Sequence, residues 1–323
     1  MKAAFVRGNG PASSVEFGEL PLPTIGPTDI LVRIGATAVN HVDLFVRSGA
    51  YPTPTPFPFI IGRDLVGTVV ATGAGVETYQ VGDKVWCNSL GHAGRQGTFA
   101  EYAAVPVERL YPLPPGVDPT EVAAVLHAAG TAHIGLFREA HLALGETVFV
   151  NGAGGGVGSA VVQLAHAAGA RVVATAAPRD HEWCTNIGAD VVLDYADPNL
   201  TSAIGSAAPT GVDIWWDNSG HNDVATALSL LNTQGRIVMM AGMAAQPTFT
   251  AGALYTRDLS ILGFAISNSS VTDLAVAAHT INALLASGGL RARVGSILPL
   301  ADGRKAHEMM EAGGNRGRIV VVP

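Results

Sequence analysis

Cysteine is scarce in this 323-residue chain, with Cys87 and Cys184 as the two examples. Two thiols cannot build a disulfide framework or a four-thiolate zinc site, so both are expected as reduced side chains. Charge is sparse as well: 14% of residues are Asp, Glu, Lys or Arg, and the formal net charge is −7. No cluster of Lys and Arg occurs, which argues against a nucleic-acid groove. The acidic balance also disfavours an anionic membrane surface. No stretch of about 18 residues runs free of polar breaks, so no membrane span is expected. The opening residues, Met1 to Arg7, carry too short an apolar run for a signal peptide, and a cytoplasmic protein is the expectation. Two catalytic motifs are missing too. There is no G-x-S-x-G nucleophile elbow, and no Gly-Lys-Ser/Thr follows a glycine-rich run, which excludes a P-loop. Neither an internal repeat nor a low-complexity tract is present.

What the chain has is apolar bulk and glycine. Hydrophobic residues make up 48% and glycines number 39. The length suits two domains, and the glycines point to tight turns and close backbone approaches. Residues 1 to about 120 read as short strands between turn signals: Ile30 to Val39, Leu65 to Gly73, Asp83 to Trp86 and Thr98 to Val105. Pro52, Pro54, Pro56 and Pro58 make residues 51–58 an extended loop. These signals suggest a barrel-like β unit. From Pro119 the pattern changes. A helix is expected over Glu121 to Phe137, interrupted at Gly130-Thr131. Strands then alternate with helices at Thr147 to Asn151, Arg171 to Ala176, Val191 to Asp194, Val212 to Trp216, Arg236 to Met240 and Leu259 to Gly263. Such alternation implies a parallel sheet covered on both faces. The tail adds helices over Thr272 to Ser287 and Ala301 to Glu311, and a last strand over Gly317 to Val322.

The strongest chemical signal is the run from Val148 to Gly158, Val-Phe-Val-Asn-Gly-Ala-Gly-Gly-Gly-Val-Gly. It follows a strand and opens a helix, as a dinucleotide fingerprint requires. Counted back from Gly158, Ala153 takes the place of the first glycine. Gly155, Gly156 and Val157 would bring backbone N–H groups to a pyrophosphate. The bland alternative is a tight strand-to-helix turn. At the end of the second strand, where an NAD site places a carboxylate, Ala176 and Ala177 stand instead, followed by Arg179. A guanidinium suits a 2′-phosphate, so NADPH is favoured over NADH. Tyr195 can add a hydroxyl. A solvated loop residue is the other reading of Arg179.

At full length the chain resembles the medium-chain dehydrogenase/reductase superfamily, in its zinc-free quinone oxidoreductase (zeta-crystallin-like) branch. The resemblance rests on Ala38-Val-Asn40-His-Val-Asp43, Arg47-Ser-Gly-Ala-Tyr51, Gly62-Arg-Asp64-Leu-Val-Gly67, Val81-Gly-Asp-Lys-Val85, the glycine run, Leu193-Asp-Tyr195, and Ala306-His through Gly317-Arg-Ile-Val320. It implies an α/β chain of three parts: a GroES-like β-barrel catalytic domain over 1–121, a doubly wound Rossmann sheet over 122–264, and a return of residues 265–323 to the catalytic domain. The active site would lie in the cleft between the domains, and a homodimer is implied. Zinc relatives hold the metal with a Cys, a Gly-His-Glu motif and a later ligand. Here those places read Asn40, Gly62-Arg63-Asp64 and His127. Asn and Arg are not zinc ligands, so no metal is expected.

The implied activity is NADPH-dependent hydride transfer to a small quinone, enone or enal. Negative charge then develops on the carbonyl oxygen, and donors aimed at it would stabilise it. The Asn40 amide and the Tyr51 hydroxyl match the family positions for this, with Tyr51 also a proton donor. A turn-forming Asn and a packed loop aromatic are the structural alternatives. Thr131, beside the expected helix break, matches a residue near the nicotinamide. Asn218, Gly242 and Met243 follow later strands, where ligands of open α/β sheets bind. Phe264 and Ile266 lie where the chain leaves the Rossmann part. Arg318 would reach phosphate, sit in solvent or lie between the domains. Arg63 would favour an anionic substrate or pair with an acid, and His127 would act as an acid or sit satisfied in the core. An enoyl or 2-alkenal reductase and a non-catalytic NADPH-binding protein are the competing functions.

Overall fold

The computed structural model describes residues 1–323, which divide into two units: Met1–His127 with Ser270–Pro323, and Ala128–Ser269. The divisions expected at 121/122 and 264/265 fall slightly earlier in the chain than these. The first unit opens with β1 (Lys2–Val6), β2 (Glu16–Glu19) and β3 (Asp29–Ala38). There follow α1 (His41–Ser48), β4 (Phe59–Ile60), β5 (Leu65–Thr72), β6 (Lys84–Cys87), β7 (Tyr102–Pro106) and β8 (Tyr111–Pro112).

The long strand β3 is the spine of this unit. It pairs antiparallel with β5 and β7 along most of its length. Ile30, Val32 and Ile34 alternate along it and join Leu65, Val69, Val85, Leu90, Val105 and Leu110 in one core. Period-two spacing places such residues on one sheet face, and burying each contributes roughly 1.5–3 kcal/mol.

The sequence reading has no helix over α1, yet the structure forms one. The Asn40 N–H donates to Asp43 Oδ2 at 2.8 Å, and the Asp43 N–H donates to the Asn40 carbonyl at 2.9 Å. These bonds satisfy groups that a helix start leaves open. Gly49 ends the helix in the left-handed region, at φ 82°.

Next comes α2 (Pro119–His133), entered through Asp118, whose Oδ1 accepts the Thr120 N–H at 2.7 Å. The expected interruption at Gly130-Thr131 is absent. The helix runs through both residues and becomes a π-helix over Ile134–Glu139. Ala128 to Ile134 are all buried, and that packing outweighs the roughly 1 kcal/mol that glycine costs a helix.

The second unit continues with β9 (Thr147–Asn151), α3 (Gly156–Ala167), β10 (Arg171–Ala176), α4 (His181–Asn186), β11 (Val191–Asp194), α5 (Leu200–Ala207), β12 (Val212–Asp217), α6 (Val224–Leu230), β13 (Leu231–Met239), α7 (Ala251–Tyr255) and β14 (Ser260–Gly263). All pairings are parallel, in the order β11-β10-β9-β12-β13-β14. Counted within the unit, this is the 3-2-1-4-5-6 order of dinucleotide-binding sheets. Val148, Phe149 and Val150 are buried on both faces, as a central parallel strand requires.

The chain then returns to the first unit with α8 (Val271–Ser287), β15 (Val294–Pro299), α9 (Gly303–Ala312) and β16 (Arg318–Val322). β16 pairs antiparallel with the end of β3, Val320 opposite Ala38. The tail therefore completes the sheet begun near the N-terminus, and the barrel-plus-Rossmann architecture stands as expected. No helix is long and apolar enough to cross a membrane.

Candidate functional site

In the second unit the site begins at the turn between β9 and α3. Gly152 takes φ 81°, so the tight-turn glycine is Gly152, one place before the Ala153 that the fingerprint count singled out. A Cβ on Gly158 would lie 2.3 Å from the Gly152 carbonyl oxygen, so only glycine lets α3 start this close to β9. Gly155 caps the helix without a side-chain bond. The N–H groups of Gly156, Val157 and Gly158 have no intrahelical acceptor and leave the first turn polar and positive. Thr175 fixes the turn from the neighbouring strand. Its Oγ1 accepts the Gly152 N–H at 3.1 Å and donates to Asn151 Oδ1 at 2.7 Å.

Because the sheet is parallel, the other expected cofactor residues gather on the same edge. Ala176 ends β10, opposite Asp194 on β11, and the Tyr195 N–H points to the Ala176 carbonyl at 3.4 Å. Arg179 and Tyr195 are both well exposed there. Asp180, which the sequence reading passes over, is buried with its carboxylate against Gly154 and 3.8 Å from the Arg179 Nε. Asn218 follows β12, Gly242 and Met243 follow β13, and Phe264 follows β14. Ile266 is buried at the start of a short 3-10 turn. The Asn218 side chain is committed: Nδ2 donates to the Asn151 carbonyl at 3.2 Å, and Oδ1 accepts the Trp216 indole N–H at 2.9 Å. Thr131 is buried inside the unbroken α2 and not at a helix break.

The first unit holds Asn40, Tyr51, Arg63 and His127. Asn40 does not stand as a free donor. Its Nδ2 donates to Asp64 Oδ2 at 3.1 Å and to the Ala38 carbonyl at 3.3 Å, and its Oδ1 accepts from Arg318. Both amide hydrogens are therefore used, as burial demands of polar groups. Arg318 is likewise neither solvated nor placed for phosphate. It is half-buried and also donates to the carbonyls of Val39, at 2.9 Å, and Ala124, at 3.1 Å. Asp64 accepts the Ala38 N–H at 3.0 Å. This lock of Arg318, Asn40 and Asp64 joins β3, α1, α2 and β16, and the sequence reading did not find it. Its three residues each stand in a motif singled out above, but nothing in those motifs signals that they meet.

Burial pushes the Asp43 carboxyl up to about 7 and the Asp64 carboxyl up to about 6, against the lowering effect of their hydrogen bonds and of Arg318. Arg63 is buried with its charge toward Asp43, Tyr51 and Asp64, and it donates to the Leu90 carbonyl at 3.3 Å. His127 is pushed down to about 3, by burial first and then by Arg63 and Arg318. A neutral imidazole at ordinary pH is no ready proton donor. Tyr51 follows α1, half-buried, with its ring 6.0 Å from that of His92. No three His, Cys, Asp or Glu side chains lie together as a metal site would need.

Residues 26–115 match the family described as alcohol dehydrogenase GroES-like domain, and residues 156–281 match the one described as zinc-binding dehydrogenase. A rat quinone oxidoreductase is 29% identical over 94% of this chain and 92% of its own length. A solved NAD-dependent alcohol dehydrogenase superposes with a TM-score of 0.90 at 30% identity, covering all of both chains. The chain belongs to the medium-chain dehydrogenase/reductase superfamily. Its place there is in the quinone-oxidoreductase-like branch. A mycobacterial protein solved in complex with NADPH is also similar, at 27% identity and a TM-score of 0.86 over the whole of both chains.

The buried ionisable groups of this medium-chain dehydrogenase/reductase set a pH dependence of stability. Burial pushes His127 and His307 down to about 3, and His92 and His133 down to about 4. Between about pH 4 and 6.5 the unfolded chain protonates these imidazoles and the folded chain does not, so acidification destabilises. Asp43 and Asp64 act the other way, because their raised values let the folded state bind protons that the unfolded state releases. The histidines outnumber them. The thermal unfolding midpoint is therefore expected to rise from pH 4.5 to 6.5, and to rise more steeply in Asp43→Asn, which removes one opposing group. A flat wild-type profile, or no steepening in the variant, would count against these assignments.

Proposed function

We propose that this chain is an NADPH-dependent reductase of quinones or related conjugated carbonyl compounds that works without a metal. One observation carries the reading: a glycine turn opens α3 at the centre of a 3-2-1-4-5-6 parallel sheet, with exposed Arg179 and Tyr195 at the adjacent strand ends. The first-turn N–H groups of α3 suit the pyrophosphate. No carboxylate stands at Ala176 or Ala177, and the nearby Asp180 is buried against Gly154, so the end of β10 itself presents no exposed acid to a 2′-phosphate. The relatives themselves differ on this point, one being NAD-dependent and another solved with NADPH.

The donor set does not suit zinc. Asn40 and Arg63 stand where zinc relatives place ligands, both Asp64 oxygens already accept hydrogen bonds, and two guanidiniums would face a dication. When bound, NADPH supplies a hydride to the conjugated carbon of the substrate. The substrate oxygen then gains negative charge and needs a proton. With the Asn40 amide committed, the Tyr51 hydroxyl is the group of the first unit best suited to hydrogen-bond that oxygen and donate. The buried Arg63 adds positive charge beside Tyr51. The same commitment of Asn40 favours, as a second reading, an NADPH-binding protein without turnover. An enoyl or 2-alkenal reductase would use the same groups. The proposal includes a homodimer, supported by β14, which pairs only with β13 and leaves its outer edge open.

An NADPH-oxidation assay over a panel of quinones, enals and enones is expected to show turnover on quinones. Tight cofactor binding with no turnover on any of them would select the binding-protein reading, and preference for enals would select the enoyl-type reductase. Arg179→Ala is expected to weaken NADPH by about tenfold or more while leaving NADH nearly unchanged, a loss of the order of one charge-assisted contact. Equal loss for both cofactors would remove Arg179 from phosphate recognition. Light scattering is expected to return twice the 33.1 kDa chain mass, and a monomer at micromolar concentration would end the dimer proposal.

A further inference from the structure

Trp216 is fully buried near the end of β12, between Val150 on β9 and Val238 on β13. Its indole touches three separate parts of the second unit. The Nε1–H donates to Asn218 Oδ1 at 2.9 Å, and Asn218 in turn holds the Asn151 carbonyl beside the glycine turn, through its own N–H at 3.1 Å and through Nδ2 at 3.2 Å. The ring meets Phe264 edge-on, with centroids 6.3 Å apart and planes at 74°. The far edge of the indole lies over Gly135, the second residue of the π-helix. A Cβ there would fall 2.3 Å from Trp216 Cη2, 2.5 Å from Cζ3 and 2.7 Å from Phe264 Cε1. Contacts this short are not met by real Cβ atoms, so position 135 admits glycine only while the indole keeps its place.

Inserted single turns of π-helix often mark functional sites. Here the insertion presents a residue without a side chain to an indole that links two expected cofactor positions. Nothing in the sequence reading pointed to either residue, since Trp216 passes for a core strand residue and Gly135 for helix filler.

We propose that Trp216 is a positioning residue for the nicotinamide half of the cofactor, braced by Gly135, which sets Phe264 and the Asn218 turn in a fixed relation to the glycine turn. The inference rests on the cofactor reading given above. It assigns Trp216 no contact with the reacting atoms. The pyrophosphate and 2′-phosphate ends depend instead on α3, Arg179 and Tyr195. The brace should therefore matter for a ligand that carries the nicotinamide and not for one that lacks it.

The test compares NADPH with 2′-phospho-ADP-ribose, which has both phosphate groups and no nicotinamide, by titration calorimetry on the full chain. Gly135→Ala drives a methyl group into the indole. It is expected to weaken NADPH by about tenfold while changing the fragment by less than about twofold. Trp216→Phe keeps an aromatic ring but loses the bond to Asn218, and is expected to show the same selectivity with a smaller loss. The double variant withdraws the indole atoms nearest position 135. It should bind NADPH better than Gly135→Ala alone, a non-additivity that only direct coupling produces. If Gly135→Ala does not fold, Trp216→Phe still carries the comparison. Equal losses for NADPH and the fragment, unchanged binding of both, or strict additivity would overturn the brace while leaving the cofactor reading intact. A wild-type chain that binds neither ligand would overturn the cofactor reading, and the brace with it.

Discussion

The second unit depends on one close approach, that of Gly158 to the Gly152 carbonyl. A methyl group at 158 would sit 2.3 Å from that oxygen, so α3 can start directly on the end of β9 only because no side chain intervenes. This nearness decides where the open N–H groups of the first helical turn point. Thr175 and Asn151 then keep the turn from relaxing. Everything else on that edge follows from parallel pairing. Strands that all run the same way end on the same side, which is why Ala176, Asn218, Gly242 and Phe264 converge although they are far apart in sequence. Without the glycine pair the edge would still exist, but its central polar feature would be displaced.

The first unit meets the opposite difficulty, which is to bury charge. Asp43, Asp64 and Arg63 are buried in one region, with Arg318 half-buried beside them. Taking such groups out of water costs several kcal/mol each unless hydrogen bonds and opposite charges offset it. The offset is visible in Arg318, which donates to two carbonyls and to Asn40, and in Asp64, whose two oxygens each accept a bond. The consequence for chemistry is direct. An amide recruited to complete such a lock has no hydrogen left for a ligand. Arg63 stands beside the lock, so the charge of Asp64 reaches it even though Asn40 itself is spent.

Strand positions in the second unit were legible because buried parallel strands are short apolar runs bounded by glycine, and β9, β10 and β11 have the expected limits. The glycine turn was legible as well, apart from the one-residue shift to Gly152. Three things were not. Helix α1 is eight residues long and owes its start to the Asn40–Asp43 exchange, a signal too local to separate from a turn. The continuity of α2 through Gly130 comes from tertiary burial, which propensity does not encode. The engagement of Asn40 depends on Arg318, 278 residues away along the chain, and no local pattern carries that information.

That last case separates two kinds of site residue. A motif tells which functional group stands at a position, but not whether the group is still available. Asn40 and Asn218 are both amides at positions of interest; both hydrogens of Asn40 and one of Asn218 are used by hydrogen bonds within the protein. The remaining expected groups are the backbone N–H groups of α3 and the exposed side chains of Arg179 and Tyr195, of which Arg179 already lies 3.8 Å from the Asp180 carboxylate. These differ in kind. The helix N–H groups are fixed by the fold and cost little to organise on binding. Arg179 is exposed, so its pull on an anion is weakened by salt over a Debye length of about 8 Å at physiological ionic strength. Affinity for a dinucleotide would therefore come chiefly from the rigid turn, and discrimination between phosphorylated and unphosphorylated forms from the exposed rim. The fold can keep the first while the second drifts, which gives a physical reason why chains so alike in backbone differ in the nicotinamide cofactor they are described with.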